Sequence, residues 1–176
     1  MTTPLTYTQT VTFQAPIAQV FDALWARPGG DLLEVRHIVG TPRTVGHRQQ
    51  LRCAFGGVDL LMIETVTAMT RPTHLQVTQA PDGFQRYDPA EREAPFLDSM
   101  VDDLDRAFSA QFGVEPPLSQ IDFSLESSGD QTTLLIEISV LKKRRYGWLQ
   151  RRRWRKSVAK EAQDIIAGIN ARLQVQ

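Results

Sequence analysis

The segment that decides the fold runs Val11-Thr-Phe-Gln-Ala-Pro-Ile-Ala-Gln-Val-Phe-Asp-Ala-Leu-Trp25. Its first residues continue an alternation of apolar and polar side chains that begins at Leu5, and this period of two is typical of a half-buried strand. Pro16 then suits the first turn of a helix, and apolar residues recur at helical spacing as far as Trp25. The segment therefore predicts a strand that passes directly into a short amphipathic helix.

A long β-hairpin is predicted further along the chain, with arms at 47–55 and 58–67. Gly56 and Gly57 separate the arms and form the permissive pair that a tight turn needs. The second arm is apolar on both parities, which predicts a central strand that is covered on both sides over part of its length. The flanking elements are predicted as a helical turn at 31–35, a strand at 36–40 and a strand at 74–78.

The pattern changes after Ala80. Loop-forming residues begin at Pro81, and apolar side chains then recur at helical spacing from Leu97 to Phe112. Seven acidic residues between positions 88 and 105 make the polar side of this predicted helix strongly acidic. The apolar face of this helix has to be covered. It can pack on the chain's own sheet, close over a bound ligand as a lid, or contact a second copy of the chain in a homodimer. The chain is completed by predicted strands at 121–126 and 132–141 and by a helix at 148–173.

Basic residues are concentrated in one segment, 142–156, which holds nine of the twenty basic residues and no acid. Tyr146, Trp148 and Trp154 lie among these charges, a mixture that suits anionic lipid headgroups or nucleic acid. Pairing with the acidic segment at 88–105 is the simpler alternative. Of the external partners we favour an anionic membrane over nucleic acid. The candidate residues for contact with an anionic surface are Lys142, Lys143, Arg144, Arg145, Arg151, Arg152, Arg153, Arg155 and Lys156.

The order of elements resembles the helix-grip fold of the START-like, or SRPBCC, superfamily, which includes polyketide cyclase/dehydrase-like proteins. The resemblance is carried by residues 11–25, by the strand-turn-strand sequence Val66-Thr-Ala-Met-Thr-Arg-Pro-Thr-His-Leu-Gln-Val77, and by the final hairpin and helix. It implies an α+β fold in which a curved antiparallel sheet wraps around a long C-terminal helix. One departure is the segment 80–119, which inserts a helix between strands five and six.

The resemblance also implies an elongated cavity between the sheet and the last helix, which in relatives holds lipids, sterols, polyketides or other apolar molecules. Binding or carriage of a hydrophobic small molecule or lipid, without catalysis, is therefore the expected function. The alternative is that the same side chains fill a solid core. The residues expected to contact the ligand, from their inward parity on the strands and the apolar face of the helix, are Phe13, Leu51, Cys53, Phe55, Leu60, Met62, Val77, Phe123, Ile136, Ile138, Ile165 and Ile169.

Glu64 shares the parity of the apolar residues on its strand, so its carboxylate is a candidate acid or base inside the cavity. A cyclase or dehydratase could use Glu64 together with Arg52 or His74 for proton transfer. The alternative is that Glu64 lies at the wet end of the strand or pairs with Arg52. No Ser/His/Asp or Cys/His arrangement supports a catalytic site elsewhere.

Composition sets further limits. A chain of 176 residues predicts a single domain over 1–176, and one cysteine with three scattered histidines leaves little material for a metal site. We therefore expect neither metal nor cofactor. The first twenty residues lack a leader with a basic and then an apolar region, and no apolar run is long enough to span a bilayer, so we expect the cytoplasm as its location.

Overall fold

Seven strands and two helices are present in the computed structural model, which describes residues 5–25, 32–55, 58–86, 103, 119–141 and 147–175. The predicted first strand, first helix, long hairpin and last helix are confirmed. In chain order the elements are β1 (Thr6–Phe13), α1 (Ile17–Trp25), β2 (Leu32–Val39), β3 (Arg48–Phe55), β4 (Val58–Thr70), β5 (His74–Arg86), β6 (Ser119–Ser128), β7 (Gln131–Val140) and α2 (Trp148–Leu173).

The strands form one curved, open antiparallel sheet in the order β1-β7-β6-β5-β4-β3-β2. Successive strands from β2 to β7 are neighbours, as expected for hairpin connections, whereas β1 pairs with β7, the described strand farthest from it in the sequence. This arrangement, together with the long C-terminal helix, confirms the predicted α+β helix-grip architecture.

The core lies between the β1-β7-β6-β5 part of the sheet and the two helices. Alternate residues of these strands point toward the helices, and α2 presents apolar residues at a spacing of three and four. Thr132 at the start of β7 donates its hydroxyl to the Ala15 carbonyl oxygen at 2.7 Å, which ties the entry of α1 to the sheet. Buried members of the core include Phe13, Val20, Phe21, Leu24, Leu75, Val77, Ile121, Phe123, Leu134, Ile136, Ile138, Val158, Ala162 and Ile169.

β5 is longer than its sequence suggests, and the prediction of a loop from Pro81 is wrong. The strand pairs with β6 only from His74 to Gln79 and then continues to Arg86 beside β4. Pro81 lacks an N–H group and is tolerated because the described residues place only β4 beside this part of the strand. A register shift between the pairs Leu61/Gly83 and Met62/Pro81 accommodates the extra residue.

The prediction of a helical turn at 31–35 is also wrong, because β2 begins at Leu32 and ends at Val39. Two register shifts against β3 interrupt the pairing of this edge strand, which hides the period of two in its sequence.

The helix predicted within 80–119 falls almost entirely outside the described residues. Asp103 is described and has helical backbone, while residues 80–86 and 119 belong to strands rather than to the insertion. The turn residues Gly56 and Gly57 also lie outside the description, although the pair Phe55 and Val58 closes the hairpin as predicted.

Candidate functional site

The face of the sheet that carries Phe123 and Ile136 packs with both helices, and we call it the inner face. Strand register extends this face across the sheet, because Met62 pairs with Leu51 and Leu60 pairs with Cys53. The backbone register therefore places all the strand residues expected to contact a ligand on one face. The side chain of Phe55 lies outside the description.

These predicted ligand residues fall into two groups. The first group belongs to the core and comprises Phe13, Val77, Phe123, Ile136, Ile138 and Ile169, each at most 3% exposed, with Ile165 packed against them. The second group, which we call the arm surface, comprises Leu51, Cys53, Leu60 and Met62 on β3 and β4, outside the described core cluster. Leu51 is buried but the other three are partly exposed. The arm surface is thus an apolar part of the inner face that is partly exposed at Cys53, Leu60 and Met62.

A buried carboxylate separates the arm surface from the core. Glu64 is 2% exposed and lies between Gln49 of β3 and Gln79 of β5, its partners in the strand register. Both glutamine side chains donate to it: Gln49 Nε2 to Oε1 and Gln79 Nε2 to Oε2, each at 2.9 Å. Burying a carboxylate is costly unless donors replace water, and the two amides supply this replacement. We call these three residues the polar belt.

A histidine pair lies beside the polar belt. His47 precedes β3 and is 4% exposed, and its backbone oxygen accepts a hydrogen bond from the Val66 N–H at 3.0 Å. Its Nε2 lies 3.0 Å from His37 Nδ1, with the two rings stacked at a centroid distance of 5.1 Å. Burial is the largest cause of the lowered pKa of His47. The nearby His37 lowers this pKa further, whereas Glu64 raises it. Its Nδ1 is buried without a hydrogen-bond partner among the described residues.

Arg52 and His74 lie on the opposite, outer face of the sheet, so the structure does not bring them to Glu64. Arg52 donates to Asp59 at 2.5 Å and to Glu34 at 3.3 Å, and the hydrogen bond to Asp59 raises the pKa of Arg52. His74 Nε2 lies 3.0 Å from an oxygen of Asp122. The three candidates for proton transfer therefore do not form one site.

The residues that sequence reasoning missed are Gln49, Gln79 and His47. Two of them have a detectable signal, because Gln49 shares its parity with Leu51 and Gln79 shares its parity with Val77. A polar residue on a strand beside Glu64 is a candidate partner for that carboxylate when it points to the same face as the apolar residues of its own strand.

The basic segment forms the first turns of α2. Trp148 is 70% exposed and Leu149 is 59% exposed, and the Arg152 guanidinium lies 5.8 Å from the centre of the Trp148 ring. Gly147 N–H donates to Gln150 Oε1 at 3.0 Å and so starts the helix. Lys142, Lys143, Arg144 and Arg145 lie outside the described residues, whereas the exposed described cations are Arg151, Arg152, Arg153, Arg155 and Lys156.

Within the ranges described, no group of three or more His, Cys, Asp or Glu side chains is arranged to hold a metal ion. The same ranges contain no helix with the length and apolar character needed to cross a bilayer.

Comparison with known proteins gives structural likeness without sequence likeness. Neither a family model nor a curated protein matches the chain. Among solved structures, Ara h 8.0201 has a TM-score of 0.64 at 11% identity, with 99% of this chain and 100% of that chain covered. Ms6760 from Mycobacterium smegmatis has a TM-score of 0.60 at 14% identity, with coverage of 97% and 92%.

A third structure is DynU16, described as a putative protein in the dynemicin biosynthetic locus, with a TM-score of 0.52 at 15% identity. The match covers 97% of this chain but only 47% of that one. At such identities the likeness concerns backbone architecture. The chain therefore has the Bet v 1-like helix-grip fold, which is the fold that its sequence resembles.

Proposed function

We propose that this protein binds or carries a hydrophobic small molecule on the arm surface, with Glu64 as the polar anchor. The observation that carries the proposal is the change along the inner face from a packed core to partly exposed apolar side chains at Cys53, Leu60 and Met62. The helix-grip fold family is known for binding hydrophobic small molecules, which supports this use of the inner face.

Removal of apolar surface from water would supply the affinity. At about 25 cal/mol per Å², a ligand that buries roughly 200 Å² of apolar surface gains about 5 kcal/mol before the cost of ordering. This gain does not discriminate between apolar molecules, because it depends on area alone. Selectivity therefore has to come from the polar residues beside the arm surface.

Glu64 supplies that selectivity because an ionised carboxylate only accepts hydrogen bonds. We propose that the preferred ligand has a hydroxyl or N–H group at one end of an apolar body. Gln49 and Gln79 hold the carboxylate in place from both sides, so that it is preorganised for such a donor. An anionic ligand group at the same position would be repelled.

The test uses the neutral fluorescent amine N-phenylnaphthylamine as the probe, and the matched variants Leu60→Trp and Leu61→Trp. These neighbours lie on the inner and outer faces of the same strand. We expect Leu60→Trp to weaken probe binding at least tenfold, because the larger ring occupies the arm surface, and Leu61→Trp to change it less than twofold. Equal effects of the two variants, or no probe binding by the unmodified protein, would overturn the proposal.

A second candidate function is proton transfer of the cyclase or dehydratase type. It is favoured by the presence of the Glu64 carboxylate on β4 and of the His47 imidazole, with its lowered pKa, immediately before the adjacent strand β3. In this role Glu64 would act as base toward a polyketide-like thioester, and His47 would donate or accept the second proton. Glu64→Gln would then abolish dehydration of a β-hydroxy thioester while preserving its binding. Turnover that survives this substitution would exclude the mechanism.

A further inference from the structure

We infer that the first turns of α2 are a docking surface for an anionic lipid bilayer. The docking surface comprises Trp148, Leu149, Arg152, Arg153 and Lys156, all exposed. The inference is independent of the proposed ligand site, because it uses the helix end rather than the inner face of the sheet.

Helical spacing turns Leu149 and the basic residues of this surface away from the core. Trp148 lies 18 positions, or about five turns, before the core-packed Ile166 and so shares its direction, but at this end of the helix it is 70% exposed. Leu149, Arg152, Arg153 and Lys156 follow one another at intervals that place them on one side of the helix. Val158, the first buried residue of α2, is nine positions after Leu149, which corresponds to about two and a half turns. Leu149 therefore points in the direction opposite to the side chains that pack on the sheet.

Two large apolar side chains are exposed to solvent at this end of the helix. Trp148 and Leu149 are 70% and 59% exposed, whereas apolar residues later in the helix, such as Ala162 and Ile169, are buried in the core. Tryptophan combines an apolar ring with one N–H donor and is favoured where a membrane meets water. The guanidinium of Arg152 over the ring keeps a positive charge beside the position where the indole would enter the headgroup layer.

The surrounding charge matches an anionic membrane. The segment 142–156 carries nine basic residues and no acid, and the first turn of α2 contains no acidic side chain. Positive charge at a helix N-terminus opposes the helix dipole, so this arrangement is unfavourable unless an anion compensates it. Each basic residue close to an anionic bilayer contributes roughly fivefold in affinity.

Exposed aliphatic surface distinguishes a bilayer from nucleic acid as the partner. Basic and aromatic residues serve both partners, since phosphates attract cations and bases stack on aromatic rings. Leu149 at the centre of the charged face has no role in either of those contacts. It does contribute when a helix lies in the headgroup region with apolar side chains buried among the acyl chains.

The experiment measures co-sedimentation of the full chain with vesicles of phosphatidylcholine alone and of phosphatidylcholine mixed with phosphatidylserine. We expect binding to the mixed vesicles, a blue shift of tryptophan emission, and loss of binding at 1 M salt, where the Debye length falls to about 3 Å. Trp148→Phe should bind but lose most of the blue shift, because Trp25 and Trp154 are already partly buried.

The matched charge variants are Arg152→Glu/Arg153→Glu on the docking surface and Arg36→Glu/Arg48→Glu on exposed positions of β2 and β3. Both pairs change the net charge equally. We expect the first pair to weaken vesicle binding at least 25-fold and the second pair to weaken it less than threefold.

Three results would overturn the inference: no binding to the mixed vesicles, equal effects of the two charge pairs, or binding of single-stranded RNA that vesicles do not compete away. A loss of thermal stability in Arg152→Glu/Arg153→Glu without any vesicle binding would assign these charges to contacts within the protein. Because the fluorescent amine is assayed without lipid, failure on vesicles leaves the ligand-binding result unchanged.

Discussion

Replacement of Gln79 by leucine tests whether the polar belt is held together as its geometry indicates. The Gln79 amide is 3% exposed and donates to Glu64 at 2.9 Å, so the substitution removes a hydrogen bond to a buried carboxylate. Hydrogen bonds to charged groups contribute about 1.5–3 kcal/mol, and the loss is largest where water cannot replace the donor. We expect Gln79→Leu to lower the free energy of unfolding by about 2–3 kcal/mol.

The outer face of the same strand offers a matched control. Gln76 Nε2 donates to Asp122 at 2.8 Å, but this pair is only partly buried. Water can solvate Asp122 after Gln76→Leu, so the expected loss is under about 1 kcal/mol. Gln76→Leu also removes the exposed hydrogen bond from Thr67 Oγ1 to Gln76 Oε1, so a smaller loss for this variant, despite two lost bonds, would point to burial as the cause.

Urea denaturation at neutral pH provides the measurement, and a double-mutant cycle with Glu64→Leu provides the coupling energy. Replacing both partners by apolar side chains removes the buried charge as well as its donor, so the double variant should lose less stability than the sum of the two single variants. For a chain of this size, a loss of 2 kcal/mol corresponds to a decrease in Tm of about 4–8 °C. Equal losses for Gln79→Leu and Gln76→Leu, or a coupling energy below about 0.5 kcal/mol, would refute the reasoning.

Three further predictions concern stability. Because the pKa of His47 is lowered in the folded protein, the unfolded chain binds more protons below pH 6.5. The free energy of unfolding should therefore decrease as the pH falls below 6.5, by at most about 1.4 kcal/mol per pH unit. Urea denaturation at several pH values should show a weaker pH dependence for His47→Asn, and an unchanged pH dependence would contradict this account. Gly40→Ala should lower the Tm more than Gly129→Ala does, although both glycines have positive φ. A Cβ at Gly40 would lie 3.0 Å from the Gly46 carbonyl oxygen, whereas a Cβ at Gly129 would have no contact within 4 Å. Phe123→Ala, at a fully buried position, should lower the free energy of unfolding by about 3–5 kcal/mol in urea, and a loss under 1 kcal/mol would show that its core is not tightly packed.

Alternation identifies most of the sheet from the sequence because burial of one face imposes a period of two. It succeeds for β1 and β3, and the apolar spacing of α2 gives both ends of that helix. It fails where pairing is irregular. β2 is an edge strand with two register shifts, and β5 continues through Pro81 because its described neighbour there is on one side only.

The site is less predictable than the fold because its polar contacts depend on which strands are neighbours. The parity of Glu64 is visible in the sequence, but its placement between Gln49 and Gln79 follows from the register of three strands. The expected proximity of Arg52 and His74 to Glu64 fails for a different reason, which is parity within each strand. Arg52 follows Leu51 by one position, and a displacement of one residue in a strand moves a side chain to the other face.

Pairing of β1 with β7 affects how the protein is made. Thr12 and Thr133 face each other across these strands although they are 121 residues apart in the chain. At a synthesis rate of about 5–20 residues per second, the ribosome produces the partner of β1 roughly 6–24 s after β1 itself. During this interval the apolar side of the first strand lacks its sheet neighbour, so the nascent chain has to keep it from associating with other polypeptides or rely on a chaperone to do so. Because β7 is the only described neighbour of β1, β1 can join the sheet only after β7 has been synthesised.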